Sequence, residues 1–373
     1  LDMTAVPNRK RLYIFIPNLN LGGAERVVVT LLRHIDRSKF DCCLVVLSDD
    51  KGALVVDLPS DIRVIFLNRK RVLSAVPALI RLLWQFRPEL VFSNLSHLNL
   101  ILAMVRFVLP KTVKFIVRES SVVSVNIRQY KAQFLWRFLY KAFYHRLDYI
   151  ICQSAVMQHD IVENFRVPVK QTVIIHNPVD IDAIKALAKE GMANVTPPPV
   201  VSRFRFVFVG GLRPEKRVER LLHAFALIPA GEAYLDIVGD GAERQMLNHL
   251  CKELALTDRV RFIGFQSNPY GWMKTADALL LTSDYEGAPN VVLEALALGT
   301  PVISTPAIGG VREMLAGQPG CIVAEASTFE SFAKAMIDWL NLENKATSKR
   351  AVSNYVVARI ARHYEDHFLG LIS

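Results

Sequence analysis

The sequence predicts an α/β protein made of two doubly wound parallel sheets, one in each half of the chain. Three observations carry this expectation. Short apolar runs alternate with amphipathic segments along nearly the whole length, the pattern of parallel strands joined by crossover helices. The 373 residues are 51% apolar, enough for two ordinary cores and too apolar for a disordered or fibrous chain. An Ala-, Lys- and Pro-containing stretch at 181–202, with Pro197, Pro198 and Pro199, reads as a helix and an exposed linker between the halves. The expected organisation is therefore a domain at 1–180, a linker region at 181–202, a second domain at 203–352 and a closing amphipathic helix at 353–373.

Charge is distributed unevenly. Residues 1–180 hold 25 Lys and Arg against 14 Asp and Glu, a balance of +11, whereas residues 181–373 hold 20 against 21, a balance of −1. The basic half suits an anionic partner such as a membrane surface, a lipid diphosphate or a nucleic acid, or is a merely soluble surface. Five cysteines, odd in number and without CxxC or Cys/His spacing, read as reduced core thiols of a cytoplasmic protein. The apolar run at 12–16 is too short for a signal peptide and meets Pro17, and no apolar stretch is long enough to span a bilayer.

Taken in order, a buried strand at 11–16 is followed by Gly22 and Gly23 opening an amphipathic helix. Those glycines either let a ligand approach a helix N-terminus or simply make a strand-to-helix turn. Strand-like segments follow at 42–48 and 63–68, then a helix at 71–86 ending before Pro88, then strands at 90–94, 114–119 and 148–154. Ligands of such sheets lie beyond the carboxyl ends of the strands, so Asn94, His97, Arg118, Glu119 and Ser120 are candidates for a binding edge, each of which could instead cap a helix or satisfy a loop. The helix at 129–146 interleaves Phe134, Trp136, Phe138, Tyr140 and Phe143 with Lys131, Arg137, Lys141 and Arg146. This composition fits either docking at an anionic membrane or packing on a sheet.

The second half restarts with a strand at 204–209 and a loop bearing Arg213 and Lys216, read as solvated charge or as cations for a phosphate. Gly239, Asp240 and Gly241 end one further strand, and Gly264 and Phe265 another. The segment ADALLLTSDYEGAPNVVLEALALGTPVIS at 276–304 is a strand, a polar loop, a helix and the next strand. Pro289 suits the first helical turn and Gly299 the stop. Glu286 in the loop and Glu294 about two turns along the helix should border one crevice, where a carboxylate suits the diol of a sugar or ribose. Gly287, Ala288 and Pro289 leave the helix start bare enough for its amides to face an anion.

EGAPNVVLE at 286–294 resembles the E-x7-E motif of the retaining glycosyltransferases of family 4. Their GT-B fold sets two Rossmann-like domains facing each other across a cleft. The resemblance implies that Glu286 meets the donor sugar and Glu294 the nucleotide ribose, while the backbone of Gly287, Ala288, Pro289, Asn290 and Val291 holds sugar hydroxyls and the diphosphate. GGAER at 22–26 is similar to the family's first glycine loop, notably in bacterial enzymes acting on polyprenyl-diphosphate-linked sugars; it implies that Gly22 and Gly23 face the donor diphosphate near the acceptor. The family commonly has G-R-L-x-x-x-K after the strand matching 204–209. Lys216 matches its Lys, whereas Gly211 occupies the Arg position and Arg213 sits two residues later. Phe265 falls near the nucleotide base. Many members place a His after the strand matching 114–119; Ser120 stands there, leaving Glu119 and His97 as substitutes. The final helix is implied to cross back onto the first domain.

The resulting expectation is a metal-independent, retaining hexosyl- or N-acetylhexosaminyltransferase needing no cofactor. A nucleotide-sugar, UDP-sugar favoured, is its co-substrate, and the acceptor is a lipid-linked saccharide of a bacterial surface glycan. It would work at the inner face of the cytoplasmic membrane, contacting anionic lipid through the first domain and no nucleic acid. The missing Arg and His motivate an alternative, a non-catalytic sugar-nucleotide or carbohydrate-binding protein on the same fold. A dinucleotide oxidoreductase would need a glycine fingerprint paired with a ribose-binding acid, which the sequence lacks.

Overall fold

A computed structural model describes residues 9–20, 22–48, 52–69, 71–197, 202–348 and 351–372. Two compact units make up the chain: Leu1–Pro178 with Val357–Ser373, and Val179–Val356.

Among the described residues the first unit contains seven strands, β1 Lys10–Ile16, β2 Phe40–Val46, β3 Arg63–Phe66, β4 Leu90–Ser93, β5 Lys114–Arg118, β6 Tyr149–Cys152 and β7 Thr172–Ile174. They form one parallel sheet in the order β3-β2-β1-β4-β5-β6-β7. Its helices are α1 Gly23–His34, α2 Val72–Phe86, α3 Ser96–Val105, α4 Val123–Ile127, α5 Gln133–Phe143 and α6 Ala155–Phe165. Alternation along β1 explains why helices cover both faces. Tyr13 and Phe15 enter one core, and Leu12, Ile14 and Ile16 enter the other. Burying each such side chain contributes roughly 1.5–3 kcal/mol.

The second unit begins with α7 Ile181–Gly191 and continues through β8 Phe204–Val209, α8 Val218–Ala226, β9 Ala233–Val238, α9 Arg244–Glu253, β10 Val260–Gly264, α10 Tyr270–Thr275 and β11 Ala278–Leu281. Then come β12 Tyr285–Glu286, α11 Asn290–Leu298, β13 Val302–Ser304, β14 Ile308–Gly309, α12 Val311–Leu315, β15 Ile322–Val323 and α13 Phe329–Leu340. The sheet order is β10-β9-β8-β11-β13-β15, and β12 pairs separately with β14. The last helix, α14 Val357–Gly370, belongs to the first unit, where Ile360, Tyr364 and Phe368 pack into the α1 side of the core.

The linker expectation needs correction at 181–191. Ile184 and Ala188 of α7 are buried with Trp272, Met273 and Leu296, so this helix is an integral part of the second unit. Pro198 and Pro199 lie outside the described residues. The cysteines are free thiols; Cys42, Cys43, Cys152 and Cys251 are buried and Cys321 is half-buried. Burial pushes the Cys42 and Cys43 thiols up to about 12. Among the described residues no helix is long and apolar enough to cross a membrane.

Both sheets reverse strand order at one point, between β1 and β4 in the first and between β8 and β11 in the second. Loops diverge at such a switch point and leave a crevice beyond the carboxyl ends of the strands. Gly22 and Gly23 follow β1, His97 follows β4, Arg213 and Lys216 follow β8 and Glu286 follows β11, whereas Arg118, Glu119 and Ser120 lie at the end of β5 and Phe265 follows β10.

Candidate functional site

In the second unit the loops after β8 and β11 are laced together. Glu215 accepts a backbone bond from Asp284 at 3.0 Å, and the Thr282 hydroxyl donates to the Lys216 carbonyl at 2.9 Å. Asp284 takes Arg217 Nε and Arg220 Nη2 at 2.6 Å each, and Arg220 also donates to the Thr282 carbonyl at 2.9 Å. Arg217 holds a left-handed backbone, with φ of 52°, between the short turn Pro214–Lys216 and α8. That conformation costs an ordinary side chain roughly 1–2 kcal/mol, which its pair with Asp284 helps to offset.

This lacing delivers Lys216 to Glu286. The ammonium donates to Glu286 Oε1 at 2.6 Å, and the Ser283 hydroxyl donates to the same oxygen at 2.7 Å. The two charged side chains are only 17% and 13% exposed. An ammonium has three donors, so Lys216 keeps capacity for an anionic oxygen beside the carboxylate. Arg213 is different. Its side chain is exposed and pairs with Glu215 at 3.0 Å, which turns it away from Glu286 as a partner.

Glu286 lies on β12, a strand the sequence did not reveal. Pairing with β14 requires Gly309 at φ of 129°, where a Cβ would run into the Glu286 carbonyl. Gly310 then donates to the Gly287 carbonyl at 2.8 Å. Pro289 is the residue before α11 rather than within its first turn, and no side chain caps the helix there. A helix start of this kind favours an anion through its dipole. Because α11 begins at Asn290, Glu294 is about one turn along it, not two. The Tyr270 hydroxyl lies 3.4 Å from Glu294 Oε1. Gly287 and Pro289 are buried, while Ala288, Asn290, Val291 and Glu294 are half-buried.

Neighbouring turns support the loop after β8. A Cβ at Gly239 or Gly241 would collide with the carbonyls of Gly210 or Leu212, so these glycines permit close backbone packing. Gly264 ends β10 at φ of 85°, and the exposed Phe265 follows it.

In the first unit Gly22 precedes α1, which begins at Gly23. The Glu25 carboxylate folds back over Gly22, where a Cβ would collide with it. Burial raises the Glu25 carboxyl above its ordinary value, with the nearby Arg118 opposing. The expectation that this helix start faces a diphosphate thus meets a carboxylate already in place.

Arg118 and Glu119 require a second correction. Both were placed on a binding edge, yet they are 1% and 0% exposed. Arg118 donates to the Asn177 side-chain oxygen. Glu119 accepts from Ser96 Oγ at 2.5 Å, Asn99 Nδ2 at 2.9 Å and the Tyr144 hydroxyl, and its carbonyl takes Gln153 Nε2 at 2.5 Å. It therefore ties β5, α3, β6 and the turn after α5 together. Desolvation pushes its carboxyl up to about 7 against the lowering effect of the Asn99 and Ser96 bonds. Ser120 is half-buried, and His97, in the first turn of α3, is exposed.

Residues 21–183 match the family model of Glycosyltransferase Family 4, and residues 198–354 match that of glycosyl transferases group 1. The chain belongs to the family 4 glycosyltransferases. This glycosyltransferase is 29% identical over 378 residues to the N-acetylgalactosamine-N,N'-diacetylbacillosaminyl-diphospho-undecaprenol 4-alpha-N-acetylgalactosaminyltransferase of Campylobacter jejuni subsp. jejuni serotype O:2, covering 97% of its own length and 100% of the relative's. It is 36% identical over 179 residues to the lipopolysaccharide core biosynthesis glycosyltransferase LpsE of Rhizobium meliloti, spanning 47% of its own length and 50% of that protein. The fold is similar to that of Anabaena Alr3699/HepE solved with UDP-glucose, with a TM-score of 0.74, 19% identity and coverage of 96% and 99%.

Ser283 and Tyr270 join the candidate site of this family 4 glycosyltransferase without having been singled out in the sequence. Ser283 lies in the strand-loop segment at 276–304, three residues before Glu286. Tyr270 approaches from α10, and nothing in its local pattern announces it.

Proposed function

We propose that this chain is a retaining glycosyltransferase that moves a hexosyl or N-acetylhexosaminyl group from a nucleotide-sugar, UDP-sugar favoured, to a lipid-linked saccharide in bacterial surface polysaccharide assembly. The contact between Lys216 and Glu286 carries the reading. Negative charge grows on the leaving diphosphate as the glycosidic bond breaks, and a fixed ammonium beside it stabilises that state more than the bound substrate. The α11 start adds a favourable dipole, Arg213 supplies a further cation from the solvent side, and Glu286 and Glu294 are suited to sugar and ribose hydroxyls. These groups handle the charge without a metal, and the leaving phosphate acts as base for front-face attack.

The Campylobacter relative's diphospho-undecaprenol substrate and the UDP-glucose complex of HepE support the choice of acceptor and donor. The basic balance of the first half and the bare apolar residues of α5 support work at an anionic membrane. The decisive experiment incubates the chain with UDP-, GDP- and ADP-sugars and lipid-linked saccharides, with and without EDTA, and assigns the product anomer by NMR. Retention, EDTA-insensitive transfer and dependence on Lys216 are expected. A chain that binds nucleotide-sugar but releases no nucleoside diphosphate would instead be the non-catalytic binding protein.

A further inference from the structure

Three rings from separate segments of the first unit meet. His97 follows the carboxyl end of β4, Tyr130 precedes α5, and Trp136 lies in the first turn of α5. The His97 ring centroid is 5.3 Å from those of both Tyr130 and Trp136, which are 5.1 Å from each other. His97 is exposed and the other two are half-buried against the core, so the packed rings form a shallow aromatic nook open on the His97 side. It also carries polar groups, the imidazole nitrogens and a Tyr130 hydroxyl that accepts from Asn126 Nδ2 at 3.3 Å.

The nook has a rigid base. Ser96, beside His97, donates its hydroxyl to Glu119, and its carbonyl accepts from the Tyr140 hydroxyl at 3.2 Å. The first turn of α3 is thereby fixed against α5. On α5 itself Trp136 shares the inner face with Tyr140, whereas Phe134, Leu135 and Phe138 project on the outer face as bare hydrocarbon.

We propose that His97, Tyr130 and Trp136 form the subsite for the pyranose ring of the acceptor saccharide. A pyranose has an apolar C–H face and a rim of hydroxyl or acetamido groups. The nook offers the outward aromatic surface of the packed rings for the first and an imidazole and a phenol for the second. A polyprenyl chain would gain nothing from those polar groups, and the outer face of α5 suits it better. The inference rests on the reading of this chain as a transferase with a lipid-linked saccharide acceptor.

The test compares His97→Ala, Trp136→Leu and Trp136→Phe in the full chain, using N-acetylhexosamine-terminated saccharide diphosphates that carry a farnesyl or an undecaprenyl lipid. For His97→Ala and Trp136→Leu the acceptor KM should rise about tenfold with both lipids. Donor KM and acceptor-free release of nucleoside diphosphate should stay at the wild-type values, and Trp136→Phe should restore most of the acceptor affinity. Unchanged acceptor KM in a folded His97→Ala protein overturns the subsite. A rise confined to the undecaprenyl acceptor assigns the rings to lipid and also overturns it. A wild-type chain that glycosylates no saccharide defeats the underlying reading instead.

Discussion

Lys216 and Glu286 share one short bond in a largely closed setting, so each side chain has a role the other cannot take over. Replacing Lys216 by Met removes the cation while keeping its length. Steady-state release of nucleoside diphosphate should fall about 10²–10³-fold, the usual scale for losing a preorganised donor at a developing oxyanion. Glu286 keeps its bond from Ser283 but loses this cation while only 13% exposed, so the melting midpoint should fall as well. Glu119 gives a pH prediction. Its carboxyl, raised to about 7 when folded, holds a proton that the unfolded chain has already lost, so this contribution is complete at low pH and disappears as pH rises through about 7. Urea midpoints should therefore drop between pH 5 and pH 8, by up to about 3 kcal/mol in stability, and Glu119→Gln should flatten that slope. Lys216 and Glu286 were legible because each fell inside a motif of fixed spacing. Glu119 was left open because a carboxylate at a strand end looks the same in sequence whether it turns outward or inward. Only the donors on α3 and after α5 reveal that it turns inward.

At the scale of single elements, the β12–β14 pair is the part most exposed to a single change. Gly309→Ala places a methyl group against the Glu286 carbonyl in a backbone conformation that L side chains rarely adopt. The strands should separate and shift Glu286, lowering both the melting temperature and turnover. A variant that melted and turned over like the wild type would show that the pair does not hold the acid. The helix expected at 129–146 splits by face: Tyr140 is buried, while Phe134 and Phe138 are 82% and 63% exposed. A packed face and an exposed aromatic face thus lie on opposite sides of one helix. Phe134→Ser with Phe138→Ser should leave the melt unchanged yet abolish sedimentation with anionic vesicles. Periodicity located the long strands and helices well, because both faces of each sheet are covered. It missed β12 and β14, two residues each, since a pair that short has no period to read.

At the scale of the whole molecule, separate cores predict separable melting. A nucleotide held by the second unit at one hundred times its dissociation constant should stabilise that unit by about 2.7 kcal/mol and leave the transition of the first in place. Differential scanning calorimetry with UDP reads this directly, and a single transition that shifts as one would contradict it. The alternation of strands and helices made two sheets legible, but not that 181–191 packs with the second, because an amphipathic helix does not name its partner. Nor does α14 declare from its own sequence that its apolar stripe covers the side of the first sheet bearing α1. That last feature bears on biosynthesis. The first unit is interrupted in sequence, and Val179 bridges to Val356 where the chain departs and returns. A ribosome would release everything needed for the later core before the earlier one could be capped. The portion made first should therefore remain protease-sensitive until α14 emerges and seals it.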